Sequence, residues 1–514
     1  MSGPDPVELS RWERFLEYFL FHFRWVVVIP IVLPLSIGYE VFTNFRNFIV
    51  FTAQSAPKAH DRKVALIKNQ VKAWAAGDRT SKMCTARSGW NTMSFRVPLY
   101  KDSMTKIRTD MLIDILEIDP IAMTVRVEPM VTMGQLTRFL IPLGYTLPIV
   151  PELDDLTVGG MINGCGVESS GRKYGLFQHI CQSYEIVTAH GELIVATKDK
   201  ENEHQALFFG IPWSHGTLGL LVAATIRIIP AKPYVRLTYY PCQSKAKLLD
   251  RLENAAKSAD NEFVEGLQFT HDTGVVMTGF FADSPPVNAS VNNIGRWYKP
   301  WFFEHVRSIC TANQEIVEYI PLRDYYHRHS RSIFWEIKDL VPFGNHPLFR
   351  YTLGWAMPPK ISLLKRTTPK SVRNIYNRRH VLQDMLIPFD KASEAIDLFH
   401  EEVEIYPLWL CPFNLPSSPG LIRQRTGTNI IYVDIGVYGS CELEKYHPVD
   451  TTRKLESFVR SVKGVQMLYA DTYMTLPEFW EMFDGTLYDW LRVKYGCKDA
   501  FPNVYEKINR AVRY

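Results

Sequence analysis

Cysteine is scarce and scattered. The eight cysteines of this 514-residue chain, Cys84, Cys165, Cys181, Cys242, Cys310, Cys411, Cys441 and Cys497, form no C-x-x-C pair and no Cys/His knuckle. That argues against a structural zinc site and leaves reduced thiols facing the cytosol as the expectation. An excess of charge is missing too: a formal net charge of +4, with bases and acids interspersed, is too small for a nucleic-acid surface. No Gly-Lys-Ser/Thr phosphate loop, internal repeat or low-complexity tract occurs. What remains is an ordinary globular composition, 46% hydrophobic and 22% charged, on a chain long enough for two or three domains.

Long apolar runs are absent except near the N-terminus. Trp25 to Tyr39 reads WVVVIPIVLPLSIGY without a charge. A single transmembrane helix is expected over residues 25–43, after an N-terminal segment 1–24, and Pro30 and Pro34 are tolerated in such a helix. A cleaved signal peptide is disfavoured because acids and bases precede the run and no small-residue cleavage site follows. The competing reading is a buried core helix. Arg11, Arg14 and Arg24 before the run balance Arg46, Lys58, Arg62 and Lys63 after it, so charge bias does not orient it. Asn288-Ala289-Ser290 is a glycosylation acceptor only on a lumenal side.

The remainder mixes strands with short helices, an α+β pattern. A helix is expected over roughly His60 to Ala76, and Ile115 to Pro129 reads as a hairpin turning at Asp119-Pro120. Thr132 is placed to cap a helix that Gly144 ends. YEIVTAHGELIVAT is a second hairpin turning at His190-Gly191, and Leu221 to Tyr234 a strand stopped by prolines. Beyond Pro233 the chain turns aromatic and proline-rich (WYKPWFF, YYHRH, YPLWLCPFNLP), as expected of a second domain with an apolar lining.

The densest chemical signal is LDDLTVGGMINGCGVESSGRKYG, Leu153 to Gly175, with Gly159, Gly160, Gly164 and Gly166 inside eight positions. Backbone bared this way approaches an anion closely. A dinucleotide fingerprint fails, because Gly164-x-Gly166-x-x-Ser169 lacks the third glycine and no strand feeds a helix there. By itself the segment is either a phosphate cradle or a tight structural turn.

The order of the pieces is more specific than any one of them. A hairpin ending in V-E-P, then T-V-G-G, K-Y-G, an A-H-G-E hairpin and W-S-H-G-T-L-G-L-L resembles the FAD-binding domain of the vanillyl-alcohol oxidase and p-cresol methylhydroxylase superfamily. The resemblance implies that Thr157, Val158, Gly159, Gly160, Met161, Ile162, Asn163, Gly164, Cys165, Gly166, Val167, Glu168 and Ser169 run along the flavin and its pyrophosphate. Tyr174 and Gly175 follow, and Gly216, Leu218 and Gly219 belong to a segment that closes over the cofactor. The earlier phosphate loop matches Thr85 to Trp90, adding Arg87, Ser88, Gly89 and Trp90. Arg87 is either a fork of donors to phosphate or an ordinary surface arginine. Asn91 stands where many relatives carry the histidine that bonds to the flavin ring, which implies non-covalent FAD.

Longer runs narrow the resemblance. ELDDLTVGG, KYGLFQHIC, IPLRDYYHRHSRSIFWE, HVLQDMLIP and LYADTYMTLPEFWEMFDG resemble the Δ24-sterol reductase (24-dehydrocholesterol reductase, Diminuto-type) family over almost the whole chain. This implies a two-subdomain FAD-binding domain over 52–234, an α+β substrate or cap domain over 235–460, and a C-terminal segment, 461–514, that returns to the cofactor domain. It also implies a single-pass enzyme of the endoplasmic reticulum, or of the Golgi membrane, with a cytosolic catalytic body. Such an enzyme saturates the side-chain C24=C25 double bond of desmosterol-like sterols using FAD and NADPH. Its partners would be sterol and bilayer, with a homo-oligomer or other sterol-biosynthesis enzymes in addition.

An isolated alkene has no carbonyl to take up charge. Protonation at C24 before or with hydride addition at C25 therefore suits the chemistry, and the protein must supply an acid and exclude water. The candidate catalytic residues are Tyr326, His327, His329, Tyr469 and Asp471, with Tyr325, Asp384 and Tyr473 beside them. His327-x-His329 also has the form of a metal pair, although its arginine-rich setting favours a surface or hydrogen-bonded structural role; Gln383-Asp384 is otherwise read as fixing a strand. Two rival functions remain: an oxygen-using oxidase of the same fold, and a non-catalytic membrane protein that keeps the fold to bind sterol or a partner.

Overall fold

The computed structural model describes residues 11–12, 15, 18–19, 23–53, 57–87, 99–361, 363–364, 378–425, 427 and 430–510. The strands in chain order are β1 (Met83–Thr85), β2 (Thr105–Ile107), β3 (Ile115–Asp119), β4 (Thr124–Val127), β5 (Tyr145–Thr146), β6 (Cys181–Val187), β7 (Leu193–Thr197), β8 (Leu220–Arg227), β9 (Ile229–Pro230), β10 (Tyr234–Cys242), β11 (Phe263–Gln268), β12 (Gly274–Ala282), β13 (Ile316–Pro321), β14 (His380–Pro388), β15 (Leu408–Asn414), β16 (Ile431–Ser440) and β17 (Val465–Gln466). They form a small parallel β1–β2 pair, a β5–β9 pair and two larger antiparallel sheets.

The first large sheet has the order β3-β4-β8-β6-β7. Its β3–β4 hairpin turns where Asp119 Oδ1 accepts the Ile121 and Ala122 amides at 2.9 and 2.8 Å, and alternation along β4 buries Val125 and Val127. Gly191 takes φ +74° in the β6–β7 turn, a backbone state that favours glycine. Helix Pro57–Ala76 is bound to this sheet by buried ion pairs: Lys63 to Asp114 (2.6 Å) and Glu128 (2.8 Å), and His60 to Glu128 (2.7 Å). Thr132 caps helix Met133–Leu140 in a reciprocal box with Gln135, and Gly144 (φ +84°) ends the following turn.

The second sheet has the order β13-β10-β12-β11-β15-β16-β14-β17. Its central strands read as near-continuous apolar runs because both faces are covered. Four acids or phenols interrupt those runs on one face. Register pairs Asp384 with Gly436, Gly436 with Trp409 and Trp409 with Leu267, so with a two-residue repeat Asp384, Asp434, Tyr438, Trp409 and Glu265 point the same way.

The C-terminal helices Gly485–Lys494 and Val504–Ile508 close against the 213–219 turn. Arg492 donates to Thr217 O at 3.1 Å, Tyr488 and Thr217 hydroxyls meet at 2.7 Å, and Lys507 Nζ reaches His215 O. One described helical stretch, Trp25–Phe42, is long and apolar enough to cross a membrane, and 22% of it is buried.

Candidate active site

The glycine-rich segment is held at both ends. Thr157 caps the short helix Val158–Asn163, its Oγ1 accepting from Gly160 N at 3.3 Å. Asn163 fastens the helix end to the 213–219 turn: its O accepts from His215 N at 2.9 Å and its Oδ1 from Gly216 N at 3.1 Å. Gly216 and Gly219 sit at φ +70° and +138°. Arg87 Nη1 donates to Thr157 Oγ1 at 3.2 Å, and Lys101 Nζ donates to the carbonyls of Thr85 (3.0 Å) and Arg87 (2.5 Å). Burial lowers the pKa of both cations, that of Lys101 to about 8 with Arg87 and Lys106 adding repulsion. Arg87 is thus drawn into the fold and is not an ordinary surface arginine. Ser88, Gly89, Trp90 and Asn91 lie outside the described residues.

The glycines divide by what a side chain would meet. A Cβ on Gly159 would strike Pro129 Cβ at 2.7 Å, on Gly164 the Gly160 carbonyl at 2.7 Å, and on Gly166 Phe177 Cβ at 3.0 Å, so packing explains these three. Gly160 would meet only Thr157 Oγ1, the atom to which Arg87 donates, at 3.1 Å and Gly216 only Lys507 Nζ at 3.9 Å, leaving bare backbone near Arg87 and Lys507. Gly159 and Gly160 need no unusual dihedral, since both lie in the helix. Val158 and Ile162 are core, as is Leu218; Met161 is buried among them.

Beyond Cys165 the segment turns toward the second sheet. Glu168 Oε1 accepts from Arg328 Nη2 at 2.8 Å, Arg328 grips Glu265 on β11, and Trp409 Nε1 donates to Glu265 at 2.9 Å. Ser169 Oγ meets the Tyr325 hydroxyl at 3.1 Å, and Ser169 O accepts from Val264 N at 2.8 Å. Glu168 and Ser169, expected along the cofactor, therefore spend these bonds on joining the two sheets. Tyr174 donates to Glu262 at 2.7 Å, and Gly175 (φ +81°) would put a Cβ onto the His179 ring and 3.2 Å from Asn414 O. Both face that same junction.

The expected acids separate as well. Tyr326 is buried, accepting from Thr146 Oγ1 at 3.1 Å. His327 and His329 are buried, correcting the surface alternative: His327 Nε2 lies 2.8 Å from Thr137 Oγ1, and His329 stacks 4.5 Å from the Phe334 ring. Burial depresses both imidazoles below their ordinary pKa; no metal-holding cluster occurs among the described residues. Asp471 pairs with Arg510, and Tyr473 N donates to Glu456 at 2.8 Å. Tyr469 is the exception. Its hydroxyl donates to one Asp384 oxygen while Tyr438 donates to the other.

Asp384 has unexpected company. Burial pushes its carboxyl up to about 7 against the Tyr438 hydrogen bond. Burial, then the charges of Asp384 and Glu152, pushes Asp434 well up, and burial with Glu168 does the same to Glu152. Neither Asp434 oxygen is hydrogen-bonded among the described residues. Burial and then Asp434 and Asp384 raise the Cys165 thiol, which brings the glycine-rich segment within electrostatic reach of this acid-lined face. Glu152, Asp434 and Tyr438 were not read from the sequence. A signal existed: IYVDIGVYGS sets one charge in an apolar strand, where an ionised acid is rarely left.

FAD fits this arrangement: bare backbone and two partly buried cations suit its pyrophosphate, and Cys165 leads on toward the acid-lined face. Together these features define a flavin-dependent oxidoreductase of the vanillyl-alcohol oxidase and p-cresol methylhydroxylase type, and a family model described as FAD binding domain matches residues 67–197. The sequence is 56% identical to Delta(24)-sterol reductase homolog dhcr-24 of Caenorhabditis elegans, covering 98% of each chain. It is 50% identical to Delta(24)-sterol reductase of Homo sapiens, covering 98% of this chain and 97% of that one. For the Arabidopsis thaliana Delta(24)-sterol reductase the identity is 40%, covering 98% and 94%. The chain belongs to the Delta(24)-sterol reductase family.

Proposed function

We propose that this protein saturates the side-chain C24=C25 double bond of a desmosterol-like sterol with non-covalent FAD as resident cofactor and NADPH as electron donor. The observation that carries the mechanism is the Tyr469–Asp384–Tyr438 unit on the sheet face that lies in electrostatic reach of Cys165. Bound FAD, once reduced, supplies hydride. Tyr469, half-buried where Tyr438 is buried, is the donor to C24; in the protonated form of Asp384 the bond between them reverses, and the acid's proton replaces the one Tyr469 gives up. Cationic character then develops at C25, and the aromatic faces of Phe334, Trp335 and Trp409 around Tyr438 stabilise it and keep water out. Arg87, Lys101, Thr157, Gly160 and Gly216 hold the cofactor, and Glu168, Arg328 and Glu265 position the two sheets.

In this reading residues 52–234 bind FAD, 235–460 form the substrate domain and 461–514 return to the cofactor domain, for which the Arg492 and Lys507 contacts speak. The apolar N-terminal helix suits a membrane-anchored enzyme of the endoplasmic reticulum with its body in the cytosol. Incubating purified protein with FAD, NADPH and desmosterol and weighing the sterol by mass spectrometry tests the proposal. A gain of two hydrogens with matching NADPH loss is expected; peroxide formation without NADPH loss would instead identify an oxidase.

A further inference from the structure

We propose that Gln383 and Gln466 are positioning residues for the proton donor: together they fix the backbone carbonyl of Asp471 and so set where the Tyr469 phenol stands against Asp384. The inference rests on Tyr469 and Asp384 acting as proposed above. Gln383 and Asp384 are neighbours on β14, so their side chains leave the strand on opposite faces. On one face Asp384 meets the Tyr469 hydroxyl. On the other, Gln383 Nε2 donates to Asp471 O at 3.0 Å. Gln466, on the edge strand β17, donates through its own Nε2 to the same carbonyl at 2.8 Å and to Gln383 Oε1 at 2.7 Å. A peptide oxygen has two lone pairs, and here two side-chain amides take them.

Both glutamines are buried, although glutamine is a residue type mostly found exposed. What they hold is a stretch without regular structure between β17 and Thr472. Met467 N donates to Asp384 O at 3.0 Å, Ala470 N donates to Met467 O at 3.2 Å, and the turn closed in this way carries Tyr469. The turn is therefore referred to β14 at both ends, upstream through the Asp384 carbonyl and downstream through the Gln383 side chain. The strand that bears the acid also holds the turn that bears the phenol. Beyond Asp471 the chain is fixed to another element: Glu456 of helix Pro448–Ser461 accepts from Thr472 Oγ1 and Tyr473 N, each at 2.8 Å. That contact secures the segment without setting it against the acid. The setting matters because a misplacement of about 1 Å in a reacting group costs on the order of 10²-fold in rate.

Methionine matches glutamine in length and donates nothing, so Gln383→Met and Gln466→Met test the role in the full-length enzyme. Each should lower kcat for desmosterol by roughly 10- to 100-fold, with KM and flavin content nearly unchanged. The fall of kcat with rising pH should also move to higher pH, because a loosened Tyr469 no longer donates to the ionised acid. Placed in a Tyr469→Phe background, either substitution should cost less than about twofold more, since both act through the same phenol. Unchanged kcat in both single variants overturns the proposal, and so does a full additional loss in the Tyr469→Phe background. Loss of flavin and of cooperative unfolding in both variants assigns the glutamines to folding alone and overturns it too. The two readings separate cleanly: slow Tyr469→Phe beside normal glutamine variants defeats the positioning and spares the donor. A Tyr469→Phe enzyme of undiminished kcat defeats the donor, and the positioning falls with it.

Discussion

Arg328 and Glu265 form a two-point ion pair, Nε to Oε1 at 2.7 Å and Nη2 to Oε2 at 2.8 Å, with neither side chain exposed. Because Arg328 also holds Glu168 of the glycine-rich segment, one guanidinium ties the second sheet to the loop expected at the flavin. A planar fork serves two carboxylates at once, which a lysine ammonium would not do with the same geometry.

Removing that guanidinium should therefore be costly. Arg328→Met leaves two carboxylates in an apolar interior, for which a loss of about 3–5 kcal/mol is expected; denaturant unfolding measures it. Glu265 also predicts a pH dependence. Burial opposes its ionisation, yet Arg328 and His329 outweigh burial and hold the carboxyl well below its usual range. A depressed acid contributes stability above its unfolded pKa and loses it as pH falls through the folded value. Wild-type stability should thus drop below about pH 4.3, and more steeply than that of Glu265→Gln.

Asp384 runs the other way. With its carboxyl pushed up to about 7 by burial, its stabilising effect is complete below the unfolded pKa and is lost as pH rises toward 7. In turnover the neutral acid is the useful form, so kcat should decline as pH rises through about 7, and Asp384→Asn should abolish that limb. Tyr469→Phe should lower kcat by roughly 10²- to 10⁴-fold with flavin content unchanged. If Tyr469→Phe raises KM alone, the phenol binds substrate and donates no proton.

At the other end of the site, Gly160→Val tests the cofactor cradle. A side chain there crowds Thr157 Oγ1, the atom bonded by Arg87, but strikes no backbone. Flavin affinity should fall at least tenfold, about 1.4 kcal/mol, with the unfolding midpoint nearly unchanged. Gly159→Val is the contrasting case. Its Cβ strikes Pro129, so folding itself should suffer. Acid precipitation of the wild type should release free flavin, since Asn91 offers no covalent attachment.

Local rules carried much of this far in the sequence. Asp119, Thr132, Gly144 and Gly191 each act within a few residues, and their turns and caps form where local chemistry places them. The site was legible only in part because its members meet through strand register. Nothing between residues 384 and 438 announces that Asp384, Asp434 and Tyr438 share a face; pairing of β14 with β16 decides it. Packing also accounts for some of the glycines: Gly164 answers to the Gly160 carbonyl and Gly175 to His179, both four residues away, whereas Gly159 answers to Pro129, a neighbour that spacing alone does not reveal.

Removing residues before Thr52 should separate substrate delivery from chemistry. The proposed cofactor contacts begin at Arg87, while the residues removed touch the body through Trp25, Val28, Val32, Leu33 and Ser36. Each buried aliphatic side chain among these holds the helix on the body with about 1.5–3 kcal/mol, so the truncated protein should expose an apolar seat at Phe343 and require detergent. FAD should still bind at one per chain, measured by absorbance. Turnover of sterol presented in vesicles should collapse, because the sterol stays in the bilayer and the enzyme no longer does. Turnover of detergent-solubilised sterol should persist within about a factor of ten, a change worth no more than roughly 1.4 kcal/mol in the barrier. A truncated chain that folds but no longer holds flavin would mean that the helix belongs to the cofactor domain.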